Sequence, residues 1–286
     1  MRNPYNARFK LMTRPCKKAL TISATTPEDF IMIDALYIAT SGMQSTQSQI
    51  DTLSNNLSNM QTPGYKSQRV SFGDIAVITP SQVQAGIMPS QTGAGTEIVS
   101  TSSVFSQGAM QQTGNTWDIG IQGEGFLEVV DANGNHLYTR DGQLHVDSDG
   151  YLAAADGSRL AQQIQIPPGS SNITINQSGQ IYAQVGSSTN QTLLGTFELS
   201  TFPSAEGLQS VGSNNYVPTQ ASGDPTVGKP NDGGVGAILQ GSLESSNVDM
   251  VTEMATLVIA QRAYQLNARV LQASDQILDT INNLRQ

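Results

Sequence analysis

The chain has 286 residues, 37% apolar, 13% charged and 6% aromatic, with a formal net charge of −9. That charge argues against nucleic acid, whose binders concentrate Lys and Arg for phosphate. One cysteine excludes a disulfide framework or a multi-cysteine metal site, and no apolar run approaches the roughly 20 residues of a membrane-spanning helix. With only His136 and His145 available, acid–base chemistry would rest mainly on carboxylates. The composition leans towards a structural protein. Its length predicts two compact units or one elongated multi-part chain.

Residues 1–31 differ from the rest. They hold Arg2, Arg8, Lys10, Arg14, Lys17 and Lys18 against Glu28 and Asp29, a surplus of +4, so the other 255 residues carry −13. A secretory signal would need an apolar stretch of about 7–15 residues after its basic part; Ala19-Leu20-Thr21-Ile22-Ser23-Ala24-Thr25-Thr26-Pro27 is too short and too polar. Two readings stay open: a basic arm for an acidic partner, or leader sequence ahead of a start at Met32. The second is preferred, because the regular pattern begins just after Met32, and the segment is expected to be disordered or untranslated.

Leu36, Ala39, Met43, Thr46, Ile50, Leu53, Leu57 and Met60 alternate in spacings of 3 and 4. This is a heptad stripe with one polar miss at Thr46. It predicts a helix about 37 Å long, ending at Thr62-Pro63-Gly64. The other end mirrors it. From about Asn247 to Leu284 there is no Gly or Pro, and Leu257, Tyr264, Leu271 and Leu278 recur every seven residues. Ala263, Val270, Ile277 and Leu284 form a second sevenfold row one position earlier. Ser246 or Asn247 is the expected N-cap, with Asp249 in the first turn.

Between the helices the sequence reads as β structure. Asp141-Gly142, Asp149-Gly150 and Asp156-Gly157 punctuate short alternating runs and predict hairpins. Ile173-Thr174-Ile175 and Gln180-Ile181-Tyr182-Ala183 flank a further turn at Asn176-Gln177-Ser178-Gly179. Gly-, Ser-, Pro- and Gln-rich stretches at about 79–96 and 218–236 read as excursions joining the helical ends to the β body. The expected fold is α+β, mostly β. It comprises a basic leader over 1–31, helical ends over 32–66 and 240–286 pairing as a coiled coil, extended or β connections over 67–115 and 203–239, and a central antiparallel β domain over 116–202.

The features that suggest chemistry are weak. Gly120-Ile121-Gln122-Gly123-Glu124-Gly125 has its glycines in the reverse order of a dinucleotide loop and no βαβ context. Asp131-Ala132-Asn133-Gly134-Asn135 lacks the Glu a calcium loop needs at its twelfth position, where Gly142 stands; Asp147-Ser148-Asp149 is at most a fragment of one. The two histidines have no third zinc ligand, and no nucleophile–base pair stands out. No catalytic residue, metal or cofactor is expected. One heptad stripe cannot bury itself, and pairing the two helices still leaves the second row uncovered. Many copies packing these helices about an axis would bury both rows, and a non-closing contact builds a tube.

Three blocks carry a family resemblance. Ala35-Leu36-Tyr37-Ile38-Ala39 through Ser54-Asn55-Asn56-Leu57-Ser58-Asn59-Met60-Gln61-Thr62-Pro63-Gly64-Tyr65-Lys66 resembles the N-terminal signature of the bacterial flagellar rod and hook proteins. Trp117-Asp118-Ile119-Gly120-Ile121-Gln122-Gly123-Glu124-Gly125-Phe126 with Tyr138-Thr139-Arg140-Asp141-Gly142 is similar to their central motif. Gln240-Gly241-Ser242-Leu243-Glu244-Ser245-Ser246-Asn247-Val248-Asp249, then Ala260-Gln261-Arg262-Ala263-Tyr264-Gln265-Leu266-Asn267, resembles their C-terminal signature. Within the family the likeness is best to the distal-rod members, with hook or proximal rod as the alternative. A segment that those members carry after the first helix looks shorter here, at about Asp74 to Gly93.

The resemblance implies a structural, non-enzymatic subunit of a helical homopolymer that carries torque from motor to hook. It implies export by the flagellar type III apparatus without a cleaved signal, to a rod spanning the periplasm. The implied partners are other copies, proximal rod proteins, hook protein and surrounding ring proteins, with no nucleic acid and no membrane insertion. The residues expected at the polymerisation interface are Leu36, Met43, Ile50, Leu53, Leu57, Leu257, Tyr264, Leu271 and Leu278, with Asn55, Asn56 and Asn59 hydrogen-bonding across copies.

Overall fold

A computed structural model describes residues 27–78, 91–186 and 190–284. Helix α1 runs Pro27–Ser58 and helix α2 Met250–Leu284, and between them the chain is antiparallel β structure. A mostly-β fold with a helix at each end is what the hydrophobic periods imply. α1 begins at Pro27, inside the segment expected to stand apart; the fixed φ of proline suits a first helical position. Residues 1–26 and 79–90, with most of the basic leader and much of the first excursion, lie outside the described residues.

α1 stops at Ser58, a turn short of the expected Thr62-Pro63-Gly64 end. Asn59 explains the stop: its Nδ2 donates to the Asn55 carbonyl at 3.0 Å, and the chain continues in tight turns closed by Thr62 N–H to Asn59 O at 3.1 Å. Such side-chain bonds compete with helix propagation. Strands β1 (Gln68–Ile78) and β2 (Gln91–Ser103) then form a two-stranded ribbon in the register Gln68↔Ser103 to Ile78↔Gln91. The ribbon returns along α1, where Ser45 Oγ lies 3.0 Å from Thr96 Oγ1.

The β body follows. Strand β3 (Met110–Gln112) pairs with β18 (Ser242–Glu244), and β4 (Ile119–Gln122) with β17 (Ala237–Gln240). Both pairs join the start of the body to the segment entering α2. The main sheet has the order β14 (Gln209–Gly212), β15 (Asn215–Val217), β6 (His136–Thr139), β5 (Phe126–Val130), β9 (Arg159–Leu160), β8 (Leu152–Ala154), β7 (Leu144–Val146). Strand β13 (Leu199–Thr201) bridges β5 to β16 (Thr226–Gly228). Strands β10 (Ser170–Ile175), β11 (Gln180–Val185) and β12 (Gln191–Thr196) make a separate three-stranded sheet. Alternating residues from these sheets meet in one core that includes Ile119, Leu127, Val129, Leu152, Ile181 and Phe197. A second cluster holds Phe126, Tyr138, Leu208 and Tyr216, whose aromatic rings meet Phe105 and Phe202 edge to face. Burial there pushes the Tyr216 hydroxyl up to about 12.

Asp149-Gly150 and Asp156-Gly157 turn the hairpins β7–β8 and β8–β9, closed by Gly150 N–H to Asp147 O and Gly157 N–H to Ala154 O, both 2.9 Å. Asp141-Gly142 does not. β6 and β7 are not neighbours, so this dipeptide lies on a crossover. Glycine is needed there for a different reason: a Cβ on Gly142 would stand 1.6 Å from the Ile119 carbonyl oxygen. Gly142→Ala should therefore lower β-body stability by about 1–3 kcal/mol through backbone displacement, read as a shift of the urea midpoint.

The N-cap of α2 is Asp249, not Ser246 or Asn247. Its carboxylate accepts from Val251 N–H at 3.2 Å and from the Thr252 hydroxyl at 2.5 Å. Those bonds, the hydroxyl first, hold the Asp249 carboxyl below the usual range. The folded value being the lower one, the cap contributes above the ordinary value near ~3.9 and its contribution is lost as pH falls through the folded value. The first turn of α2 should fray as pH falls below about 4, seen in the Cα chemical shifts of Val251–Glu253. Asp249→Asn should remove that pH dependence.

Candidate assembly surface and the charge junction behind it

The three sequence signatures converge in space. Lys66 ends the first, Arg140 lies in the second and Glu244 in the third, and all three side chains are buried where the helical ends meet the β body. Lys66 Nζ lies 2.6 Å from Glu244 Oε1 and also donates to the Ser106 carbonyl at 2.8 Å. Arg140 Nη1 reaches Glu244 Oε2 at 3.3 Å, and its guanidinium sits 5.1 Å from the centroid of the Phe126 ring. Gly108 N–H adds a third donor to the carboxylate, reaching Oε1 at 2.8 Å. Burial pulls the Lys66 ammonium below its ordinary value, and the bond to Glu244 opposes it.

Backbone geometry supports the junction. Gly64, at φ +69°, donates its N–H to the Glu244 carbonyl at 2.7 Å, and a Cβ there would lie 2.7 Å from the Arg140 carbonyl carbon. Asn247 clamps the same seam: its Oδ1 accepts from Ser67 N–H at 2.7 Å and its Nδ2 donates to Val104 O at 2.7 Å. Nothing in hydrophobic periodicity marks Lys66, Arg140 or Glu244. Their presence in three separate signature blocks was the available signal.

The asparagines expected to bond across copies are engaged within the chain. Asn56 is buried; its Nδ2 donates to Gln68 O and its Oδ1 accepts from Gln68 N–H, both at 2.9 Å, so it brackets α1 to β1. The Tyr65 hydroxyl lies 2.9 Å from Asn55 Oδ1 and 3.1 Å from Asn56 Oδ1, and burial raises its pKa. Asn55 is exposed and Asn59 half-buried, the two linked at 3.0 Å.

The heptad stripes divide into an inner and an outer set. Leu53 is buried, and Leu36, Met43, Ile50 and Leu57 are half-buried along α1. α1 and α2 lie against each other, closely enough that a Cβ on Gly42 would be 2.9 Å from Asn267 Nδ2. On α2 the inward row runs Glu253, Leu257, Ala260, Asn267, Leu271, Ser274, while Tyr264 and Leu278 sit at its margin, 37% and 38% exposed. Val270 and Ile277, of the second row, are 48% and 51% exposed. Val251, Met254, Val258, Ile259, Leu266 and Ile281 are exposed as well, residues the sevenfold rows did not single out.

The weaker motifs resolve into structure. Gly120 to Gly125 runs from β4 towards β5 with no helix behind it. The Asp147 and Asp149 carboxylates are both taken by Arg159, which holds the Asp147 carboxyl below its ordinary value. His136 Nδ1 pairs with Glu128 at 2.6 Å across β5 and β6.

An antiparallel β body bound to a pair of end helices, one of which leaves a long apolar face uncovered by any described residue, is the architecture of an assembly subunit. Residues 36–66 match the family described as Flagella basal body rod protein, residues 120–183 the Flagellar hook protein FlgE/F/G D1 domain, and residues 239–284 the Flagellar basal body rod FlgEFG protein C-terminal. The Flagellar basal-body rod protein FlgG of Borreliella burgdorferi is 37% identical over 89% of this chain and 100% of its own length. Its counterpart in Agrobacterium fabrum is 35% identical over 87% and 98%, and that in Bacillus subtilis 32% identical over 89% and 100%. The chain belongs to the flagellar rod and hook protein family, as a structural subunit of the FlgG, distal-rod type.

Proposed function

We propose that the chain polymerises through its two end helices into the tubular distal rod, with the β body outside, and that the tube transmits torque from motor to hook. The observation that carries this reading is the uncovered apolar face of α2, from Val251 to Ile281. A stripe of that length on a 35-residue helix is stable in water only when other helices cover it. Residues 32–66 and 240–286 act in this reading as one assembly unit, with the outer row of α2 as its principal contact. Leu36, Met43, Ile50, Leu57, Leu257, Tyr264, Leu271 and Leu278 line the helical seam behind that row, and Asn55 and Asn59 lie at its edge. Leu53 and Asn56 serve the chain's own packing.

The buried junction gives the tube its stiffness. Lys66, Arg140 and Glu244 tie the helical pair to the β body at one point, so that load on the body passes to the helices without a hinge. The role is mechanical and needs no catalysis. Family membership favours export by the type III apparatus without a cleaved signal, and contacts with proximal rod, hook and ring proteins. In a strain lacking the gene, electron microscopy of basal bodies should show rods that stop short and carry no hook; complete rods lacking only the hook would move the subunit to the hook.

Charge gives a second test. At a net −9, copies repel one another through solvent, so purified chain should assemble faster as salt rises from about 20 to 200 mM, where the Debye length falls below ~10 Å. Light scattering that does not change with salt would contradict this.

A further inference from the structure

One cavity on the β body carries acid without a cation. It measures about 560 Å³ and lies where the end of α1, the β8–β9 turn and the β14–β15 hairpin meet, with Asn55, Tyr65, Asp141, Asp156, Ser213 and Asn214 on its lining. Other cavities balance their charge: Asp131 and Asp147 share one with Arg159, Glu253 shares one with Arg69, and Glu124 shares one with Arg140. Here the charged lining residues are both aspartates. Asp141 Oδ1 accepts from Gln143 N–H at 3.0 Å, while its Oδ2 has no hydrogen-bond partner among the described residues and reaches solvent. Burial raises the Asp141 carboxyl above the ordinary range, and the neighbouring charges of Asp156 and Asp118 push the same way. Asp156 is exposed and held in place by Ser158 N–H at 2.9 Å and Asn215 Nδ2 at 2.6 Å.

The matching cation sits across the same sheet. Between Val104 and Asp249 the basic residues are Arg140, Arg159 and Lys229. Arg140 is buried in the junction, and Arg159 is taken by Asp147 and Asp149. Lys229 is exposed and has no ion pair among the described residues. Its base is fixed by Pro230, buried so closely against Gly179 that a Cβ there would stand 2.8 Å from the proline Cγ. Gly228, Leu199, Leu127, Thr139 and Asn215 form one cross-strand row from β16 to β15. Lys229 follows Gly228 and Asn214 precedes Asn215, which sets them about 19 Å apart along the sheet at ~4.8 Å per strand. The cation and the acidic cavity thus lie on opposite sides of β5, where a head-to-tail neighbour presents one to the other. An ammonium brings three N–H donors on a flexible stem, which suits two carboxylates among amide and hydroxyl oxygens.

We propose that this cavity receives the Lys229 side chain of a second copy, joining neighbouring β bodies by an ion pair with Asp141 and Asp156. The inference rests on the self-assembly reading above and deepens it. The helices supply the apolar contact, and the ion pair selects which sides of the bodies meet. A contact between two different patches generates a ring or an open helix, the geometry of a tube wall.

The test separates this contact from assembly itself. Polymer grown from an equal mixture of isotopically light and heavy full-length chain is treated with a water-soluble carbodiimide, which joins an amine to a carboxylate in contact with it. Mass spectrometry of the digest should find peptides that link Lys229 of one isotope to Asp141 or Asp156 of the other. Links to these aspartates from Lys10, Lys17 or Lys18 instead would overturn Lys229 as the occupant, and links within one isotope alone would overturn the second copy. Lys229→Gln and Asp141→Asn, the latter keeping an oxygen for Gln143 N–H, should each slow assembly about fivefold, with thermal transitions confirming that both variants are folded. The double variant should be no slower than the slower single one, as for two members of one pair; slowing that multiplies overturns the pairing. Wild-type polymer without the Lys229 link overturns the contact and leaves the rod reading standing. A wild-type chain that never polymerises removes the rod reading, and the contact falls with it.

Discussion

Glu244→Gln should destabilise the chain by about 3–5 kcal/mol, the cost of removing one member of a buried ion pair while its partners stay. The substitution keeps size and shape, but it removes the one carboxylate paired with both Lys66 and Arg140 and leaves both cations buried. Urea unfolding followed by the fluorescence of Trp117, the chain's single tryptophan, reads the effect, because that ring packs against the main core. The loss should shrink with rising pH. Burial lowers the Lys66 value in the folded chain, so the variant carries the full penalty below that value. It then recovers as pH climbs towards the ordinary lysine range near ~10.4, where the unfolded chain also releases its proton. Replacing all three charges by Met and Leu should restore most of the stability, since apolar substitutes for a buried charge cluster are often neutral or better. A Glu244→Gln loss under about 1 kcal/mol would mean that water reaches the junction and screens it.

Val270→Asp combined with Ile277→Asp should leave the monomer's stability within about 1 kcal/mol of the parent and stop assembly. Both side chains are about half exposed, and neither belongs to a core cluster. Surface substitutions of this kind usually fall within ~0.5 kcal/mol each. In a polymer the same positions would be covered, each apolar side chain contributing about 1.5–3 kcal/mol, and a carboxylate there would be desolvated instead. Sedimentation at assembling salt should find the variant entirely in the supernatant. Leu53→Asp makes the informative contrast. Leu53 is buried within the chain, so its substitution should lower monomer stability, and any assembly defect would follow from that. A Val270 and Ile277 double variant that sediments like wild type would remove the outer row from the interface.

Much of this is legible in the sequence. The sevenfold rows through Leu271 and Val270 are read from spacing alone, because a helix places i, i+3, i+4 and i+7 on one face. Spacing could not say which row faces the partner helix. The small residues Gly42, Ala260 and Ser274 settle that, since they let α1 and α2 approach closely. Asp-Gly pairs predicted two hairpins correctly and failed at Asp141-Gly142. There the glycine answers to a backbone from elsewhere in the sequence, at Ile119, which local turn chemistry cannot register. Asn56 was expected to hydrogen-bond across copies. Its real partners are Gln68 and Tyr65, brought near by the turn that follows α1. The charge junction was the least legible feature. A lysine, an arginine and a glutamate separated by 74 and 104 residues look like ordinary surface charges until the fold brings them together.

In the proposed rod the end helices are completed by other copies, while the β body is complete alone. Amide hydrogen exchange on the monomer and on the assembled rod tests it directly. Amides of α1 and α2 should gain at least tenfold in protection on assembly, most along Val251 to Ile281, while core strands such as β5 and β11 change little. Equal protection of α2 in monomer and rod, with the gain confined to the β body, would contradict it.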